Sequence, residues 1–502
     1  MPLALRRRHF LVGIGGFAAF AGRSAPARAL PPDSAWNDLK TRLNGALLQP
    51  TDRGYLDAAL PQNRRYADRL PRGIASCENA DQVAICLHWS HENNVHPTIR
   101  SGGHSYAGFS TTRSLLIDMK HLKQIEKLPG GLVRVGGGAL NRDVYAALKA
   151  IDATITHGRC DGVGAAGFLL GGGIGFNMRH YGVGSDLLRA TDVVKADGTA
   201  VTATATDNKD LFWACNGGGG GNFGVNTSFT LATQEVKPVT VFNLSWSHRA
   251  RDLPGRLLAT MLETLRFAPD EFGSKISISA PSPTERRNGG DVHIGLLGQL
   301  MGPRQALMDI LGPIFKVAHP DPVRSEDKKH GIREMGYWAA QTDFLSEAGG
   351  AALYQEKSRF YGGKLAETAI GTALAFARAL PGNSKKPSEF KFFQTGGKMN
   401  KRAPTDTAFV HRSSDWLFDV EVNWDATDVW RDVEANLAWQ AAFHEAMGDY
   451  MSDCCYQNFP DPTLGRNWAQ AYYGENLDRL KAIKKDFDGS GLFTFEQGIP
   501  VG

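Results

Sequence analysis

The 502-residue sequence predicts an α+β protein in two parts. The first is a glycine-rich module of short strands and helices; the second is built on an antiparallel sheet flanked by helices. Three observations carry this. Apolar residues occur in short, separated runs before Val241 and in long alternating segments after it. Glycine, 57 residues in all, crowds into two places: ten fall between Gly158 and Gly184, and Gly217 to Gly221 are consecutive. The composition, 42% hydrophobic and 22% charged, is that of an ordinary globular chain. Such a length supports a core that needs no disulfide staples. The net charge of +4 is scattered and forms no basic stripe, which argues against nucleic acid as a partner.

The first residues read as an address. Arg6-Arg7-Arg8 precede His9-Phe10-Leu11, an apolar stretch runs to about Ala21, and Ala27-Arg28-Ala29 offers a cleavage site. This is a Tat-type signal over residues 1–29, so an exported protein, periplasmic or secreted, is expected. No other run approaches the roughly 18 apolar residues of a spanning helix, so no membrane attachment is expected after cleavage. Trp36 to Arg72 reads as loop. A helix follows over Ala80 to Asn94, then strands Pro97 to Arg100, Leu115 to Asp118 and Leu132 to Val135, and a helix Asn141 to Ala150. A strand Ala190 to Lys195 and another Ser228 to Thr233 close the first part.

Alternating segments at Lys275 to Ser279, Val292 to Gly298, Phe390 to Phe393 and Trp416 to Val422 read as antiparallel strands with one wet face. Helices are expected near Arg304 to Phe315, Leu365 to Leu380, Val429 to Gly448 and Asn476 to Lys485. Of six cysteines, Cys77 and Cys86 are spaced for a possible bridge, Cys454 and Cys455 read as separate thiols, and Cys215 has no evident partner. His88, His91 and His96 lack metal-ligand spacing, and no metal is expected. His411-Arg412 reads as ordering a loop.

Two G-x-G-x-x-G matches begin at Gly162 and Gly219. A dinucleotide fingerprint needs an apolar strand before it and an acidic residue about 20 positions on. Arg159-Cys160-Asp161 is a poor strand end, although Asp186 is suitably spaced. The second match leads into a strand rather than a helix. More informative is Arg100-Ser101-Gly102-Gly103-His104-Ser105-Tyr106, directly after a strand. Its successive amides can form an anion nest, with a histidine at the edge.

Further motifs follow in order: His157-Gly158-Arg159-Cys160-Asp161-Gly162-Val163-Gly164, Gly171 to Gly175, Tyr181-Gly182, Leu211-Phe212-Trp213, and Asn222-Phe223-Gly224-Val225. Tyr456-Gln457-Asn458-Phe459 and Tyr472 to Asn476 lie near the end. Together they resemble the berberine bridge enzyme-like branch of the vanillyl-alcohol oxidase (PCMH-type) flavoprotein family. The resemblance implies a two-subdomain FAD-binding module over residues 65–235, a substrate domain over 240–450 whose sheet roofs the flavin, and a segment 455–500 returning to the FAD module. It implies covalent FAD on His104 and Cys160. Arg100, Ser101, Gly102, Gly103, Ser105, Gly164, Gly167, Gly172, Gly175, Tyr181, Gly182, Gly221, Asn222, Gly224, Val225 and Asn458 are the remaining expected cofactor contacts.

Two departures stand out. Relatives often have histidine where this chain has Phe168, and Tyr-x-Asn-Tyr where it has Phe459. Alternation places Asp419, Glu421 and Asn423 on one strand face. The family register makes Asp419 the expected base, with Gln394 and Tyr456 as further catalytic candidates. Val163, three residues after Cys160, is expected on the oxygen path. The activity so implied is an oxidase that takes hydride from a carbon bearing OH or NH in a small molecule, with carbohydrate ranked first, and delivers electrons to oxygen. An oxidative cyclase of a secondary metabolite, or a flavin-binding protein without turnover, are the alternatives.

Overall fold

The computed structural model describes residues 31–247, 253–323, 327–345 and 351–502; the expected leader lies outside them. Among the described residues, no helix is long and apolar enough to cross a membrane.

Besides a two-stranded sheet, Ala153–Thr154 with Gln234–Glu235, the first region holds two larger ones. One runs in the order Leu47–Leu48, Gly73–Ser76, Leu115–Asp118, Thr98–Arg100. Its last three strands are parallel, joined through the helix Ala80–Glu92. Asn79 caps that helix, its side chain accepting from the Gln82 amide. A helix at Asp33–Arg42 replaces the loop expected there. Its apolar face is only three residues wide, Trp36, Leu39 and the flanking Leu43, all buried. That width is too narrow to register as periodicity, yet Trp36 packs on Trp89 at 4.8 Å between ring centroids.

The second sheet is wholly antiparallel, in the order Ile125–Leu128, Leu132–Gly136, Val225–Ala232, Leu188–Val194, Ala200–Thr204. The helix Leu477–Asp488 from the chain's end packs beside Lys209–Cys215, burying Leu480 and Ile483 with Leu211 and Ala214. Its Lys484 is almost fully buried and donates to Asp488, to the Asn222 carbonyl and to the Phe493 carbonyl.

The third sheet has seven antiparallel strands: Gly331–Met335, Val239–Ser247, His293–Leu300, Phe272–Ser279, Glu389–Gln394, Trp416–Trp424, Leu353–Tyr361. Alternation in Trp416–Trp424 decides its packing. Trp416, Phe418, Val420, Val422 and Trp424 enter the apolar cluster beneath the helices Leu253–Arg266, Glu367–Arg378 and Trp430–Gly448. At about 1.5–3 kcal/mol per large apolar side chain, that face contributes on the order of 10 kcal/mol before entropy is charged. The opposite face is not wet, as its polar pattern suggested. It is closed over a cavity against the first region, and Asp419 there is 0% exposed.

Between the regions, Arg412 and Asp186 form a buried two-pronged ion pair, both contacts at 2.8 Å. His411 stacks on Phe360, so the pair at 411–412 does order a loop. Asp186, suitably spaced for a dinucleotide fingerprint, serves this bridge instead. The Cys77 and Cys86 sulfurs face each other, buried, 3.9 Å apart as thiols. His88, His91 and His96 each hold a backbone carbonyl across a loop contact.

Candidate active site

A cavity of about 650 Å³ lies between the three larger sheets, which is in the range of small-molecule and cofactor sites. Two turns build one wall. A Cβ on Gly102 would sit 2.3 Å from the Gly164 amide nitrogen, and one on Gly164 would sit 2.2 Å from that of Gly102. Only bare backbone lets these segments cross, and the crossing brings His104 and Cys160 to the same cavity. Gly103 adopts φ +74°, which turns the chain there. The Ser101 hydroxyl donates to the Gly137 carbonyl at 2.6 Å and pins the turn.

Asn141 holds the second turn, its side-chain amide donating to the Cys160 carbonyl at 2.9 Å. Burial pushes the Cys160 thiol up, with Arg159 opposing, and burial pulls the His104 imidazole down.

Of the expected cofactor residues, Ser101, Gly102, Gly103, His104, Ser105, Cys160, Gly164, Gly167, Gly175, Gly221, Asn222, Gly224 and Asn458 line the cavity. An added Cβ on Gly167 would meet nothing within 4 Å, and on Gly221 only a ring carbon at 3.8 Å. These glycines therefore leave an open trough of exposed amide backbone, which fits a pyrophosphate and a flat ring system.

Five expected contacts stand back from the wall. The Arg100 guanidinium is used by the carbonyls of Ala58, Ala59 and Ser110. Gly172 abuts the Phe409 ring, the Tyr181 hydroxyl bonds the Glu235 carbonyl, Gly182 takes φ +91°, and Val225 is in the core. They shape the loops that present the others. Phe168, Phe459 and Val163 all line the cavity, and Phe459 stacks on Tyr106 at 5.2 Å.

The sheet face forms the opposite wall. Gln394 lines it with its amide fixed, accepting from Ser274 and donating to the Leu265 carbonyl. The Tyr456 hydroxyl accepts from the Gly173 amide and from Asn458, both at 3.1 Å, and burial raises it to about 12. Glu421 and Asn423 line the cavity; Asp419 lies just behind, on the same face. Neither Asp419 oxygen has a hydrogen-bond partner, although Lys391 stands 3.5 Å away. Burial lifts the Asp419 carboxyl to about 6 against the pull of Lys391.

Lys391, Glu356 and Glu389 complete this charged roof. Sequence reasoning missed all three. The only signal for Lys391 and Glu389 was their alternation with Phe390 and Phe392 in a strand already recognised.

A cavity whose walls are an amide trough, a histidine and cysteine on adjoining turns, and a sheet bearing buried acids defines a flavin-dependent oxidoreductase. Known proteins agree. Residues 71–204 match the family model described as FAD binding domain, and residues 455–500 match that described as berberine and berberine like. The chain is 31% identical to an uncharacterized FAD-linked oxidoreductase of Bacillus subtilis, YgaK, over 92% of this chain and 98% of that one. It is 27% identical to a carbohydrate oxidase of Microdochium nivale, over 86% and 88%. The solved structure of Physcomitrella patens BBE-like 1 superposes with a TM-score of 0.81 at 25% identity, over 92% of this chain and 99% of that one. The chain belongs to the berberine bridge enzyme-like family of FAD-linked oxidoreductases, as its motifs implied.

Proposed function

We propose that this protein is an oxidase that carries FAD on two covalent bonds, from His104 and Cys160, and oxidises a carbon bearing OH, with carbohydrate the first-ranked substrate. The observation that carries it is the convergence of His104 and Cys160 on one cavity roofed by buried carboxyls. The likeness to the carbohydrate oxidase supports the substrate ranking. Bound FAD supplies a two-electron acceptor that oxygen can regenerate with release of hydrogen peroxide.

In this reading residues 65–235 and 455–500 hold FAD, and 240–450 receive the substrate. The successive amides of the turn at Ser101–Ser105 would form the nest for the phosphates. Gln394, fixed by Ser274 and the Leu265 carbonyl, orients the substrate. The Tyr456 hydroxyl, whose lone pairs are filled from Gly173 and Asn458, is left with its proton to donate. Asp419 takes up proton charge from the substrate hydroxyl, because burial has raised its affinity for a proton. Arg6-Arg7 and Ala27-Arg28-Ala29 support export by the Tat route.

The test is a panel of reducing sugars, aryl alcohols and amines, read as bleaching of the flavin without oxygen and peroxide release with it. A flavin that no member of the panel bleaches would refute the oxidase reading.

A further inference from the structure

Four carboxyl groups and one ammonium meet on the sheet face above the cavity. Lys391 serves three of the four: it contacts Glu421 closely, Asp419 at 3.5 Å and Glu389 at 3.6 Å. The fourth, Glu356, takes no hydrogen bond and no ion pair from any described residue. It is 7% exposed, and what remains exposed faces the cavity. Asp419 is the reverse case, fully buried, off the cavity wall and with both oxygens unpartnered by hydrogen bonds.

Register brings the two together. Glu356 stands opposite Glu421, and Ser358 opposite Asp419, so Glu356 is the diagonal neighbour of Asp419 on one face. Carboxylate oxygens of Glu356, Asp419 and Glu421 all lie within 4.8 Å of one another. Like charges so close and so dry do not both stay ionised.

We infer that Glu356 is a catalytic residue: it meets the substrate hydroxyl at the cavity wall and shares a single proton with Asp419 behind it, with the Lys391 ammonium 3.5 Å from Asp419. The inference rests on the oxidase reading above. The resting pair holds one proton. As the substrate C–O bond becomes C=O, the hydroxyl proton passes to the pair, which then holds two, and the hydride lost from the carbon is what bound FAD would accept. The extra proton leaves with the two electrons when oxygen becomes hydrogen peroxide.

Glu356 thus gives Asp419, which stands behind the cavity wall, a route to the cavity. The charged and titratable groups around Glu356 are Tyr354 on its own strand, Asp419 and Glu421 on the neighbouring one, Glu389 and Lys391 on the next, Lys275 beyond, and Tyr106 and Cys160 from the first region. Burial and then Asp419 push the Glu356 carboxyl well up, more than Lys391 pulls it down.

Glu356→Gln in the full holoenzyme tests this with two readouts. At slightly alkaline pH the wild type should show the infrared stretch of a buried protonated carboxyl, shifting on deuteration, and the variant should lose it. Anaerobic bleaching by cellobiose or an aryl alcohol should slow about 100-fold, with flavin content unchanged and the pH profile of bleaching displaced. A band that persists in the variant, or bleaching at the wild-type rate with the wild-type pH profile, overturns the inference. Wild-type flavin that nothing bleaches overturns the oxidase reading instead, and the infrared band still decides whether Glu356 carries the proton.

Discussion

Replacing Asp419 by asparagine should move stability and chemistry in opposite directions, within a defined pH window. Burial, with Glu389 adding and Lys391 opposing, lifts the carboxyl from its ordinary 3.8 to about 6. A native pKa above the unfolded one means that the native state binds more protons between the two values. Stability therefore falls as pH rises through roughly 4 to 6. A shift of about two units corresponds to on the order of 3 kcal/mol, at about 1.4 kcal/mol per unit. The group is fully buried, so solvent screening does not discount it.

The substituted amide cannot ionise, so the variant should escape that cost. Its urea midpoint, followed by tryptophan fluorescence, should match or trail the wild type near pH 4 and exceed it near pH 8. Anaerobic flavin reduction should meanwhile slow by about 10²-fold or more. A stability difference that stays constant from about pH 4 to pH 8 would show that Asp419 does not titrate in the native protein.

Three further outcomes are expected. Acid precipitation should leave the protein yellow; His104→Ala and Cys160→Ala should each retain flavin, and the double variant should release it, as read by absorbance of the supernatant. Val163→Leu narrows the cavity wall beside Cys160; stopped-flow should show slower reoxidation by oxygen with substrate reduction nearly intact. Gly102→Ala puts a methyl 2.3 Å from the Gly164 nitrogen and 2.7 Å from the Gly162 carbonyl oxygen. It should cost at least about 1–3 kcal/mol in thermal stability and lower the flavin-to-protein absorbance ratio.

The elements with a regular pattern were legible in advance. Leu115–Asp118 and Asn141–Ala150 have the bounds expected of them, and Trp416–Trp424 presents the expected face, because alternation and helical spacing are local properties. The cavity's glycine wall was legible through motif order, since crossing backbones tolerate only glycine at Gly102 and Gly164. Glu356 was not. Its strand, Leu353–Tyr361, is polar on both faces: Gln355 and Lys357 bond Gln440 and Asp461 on one, and Glu356 and Ser358 lie on the other. No periodicity marks such a strand, and its meeting with Asp419 depends on a pairing about sixty residues away in sequence. The helix Asp33–Arg42 escaped notice for the related reason that three apolar residues barely define a face. The wet face expected for the large sheet was misjudged because polar residues look the same whether they meet water or a cavity.

The reach of Lys484 sets an order of assembly. Its ammonium holds the Asn222 carbonyl at the end of the Gly217–Gly221 run, and the loop at Phe493 closes over it. The Ile499 amide also donates to the Asn222 side chain. The clasp on this glycine loop therefore comes from Lys484 and Ile499, 262 and 277 positions later in the chain than Asn222. The glycine loop is held only once this late segment has docked, so removing residues 484–499 would release a loop that lies nearly three hundred residues earlier in the chain.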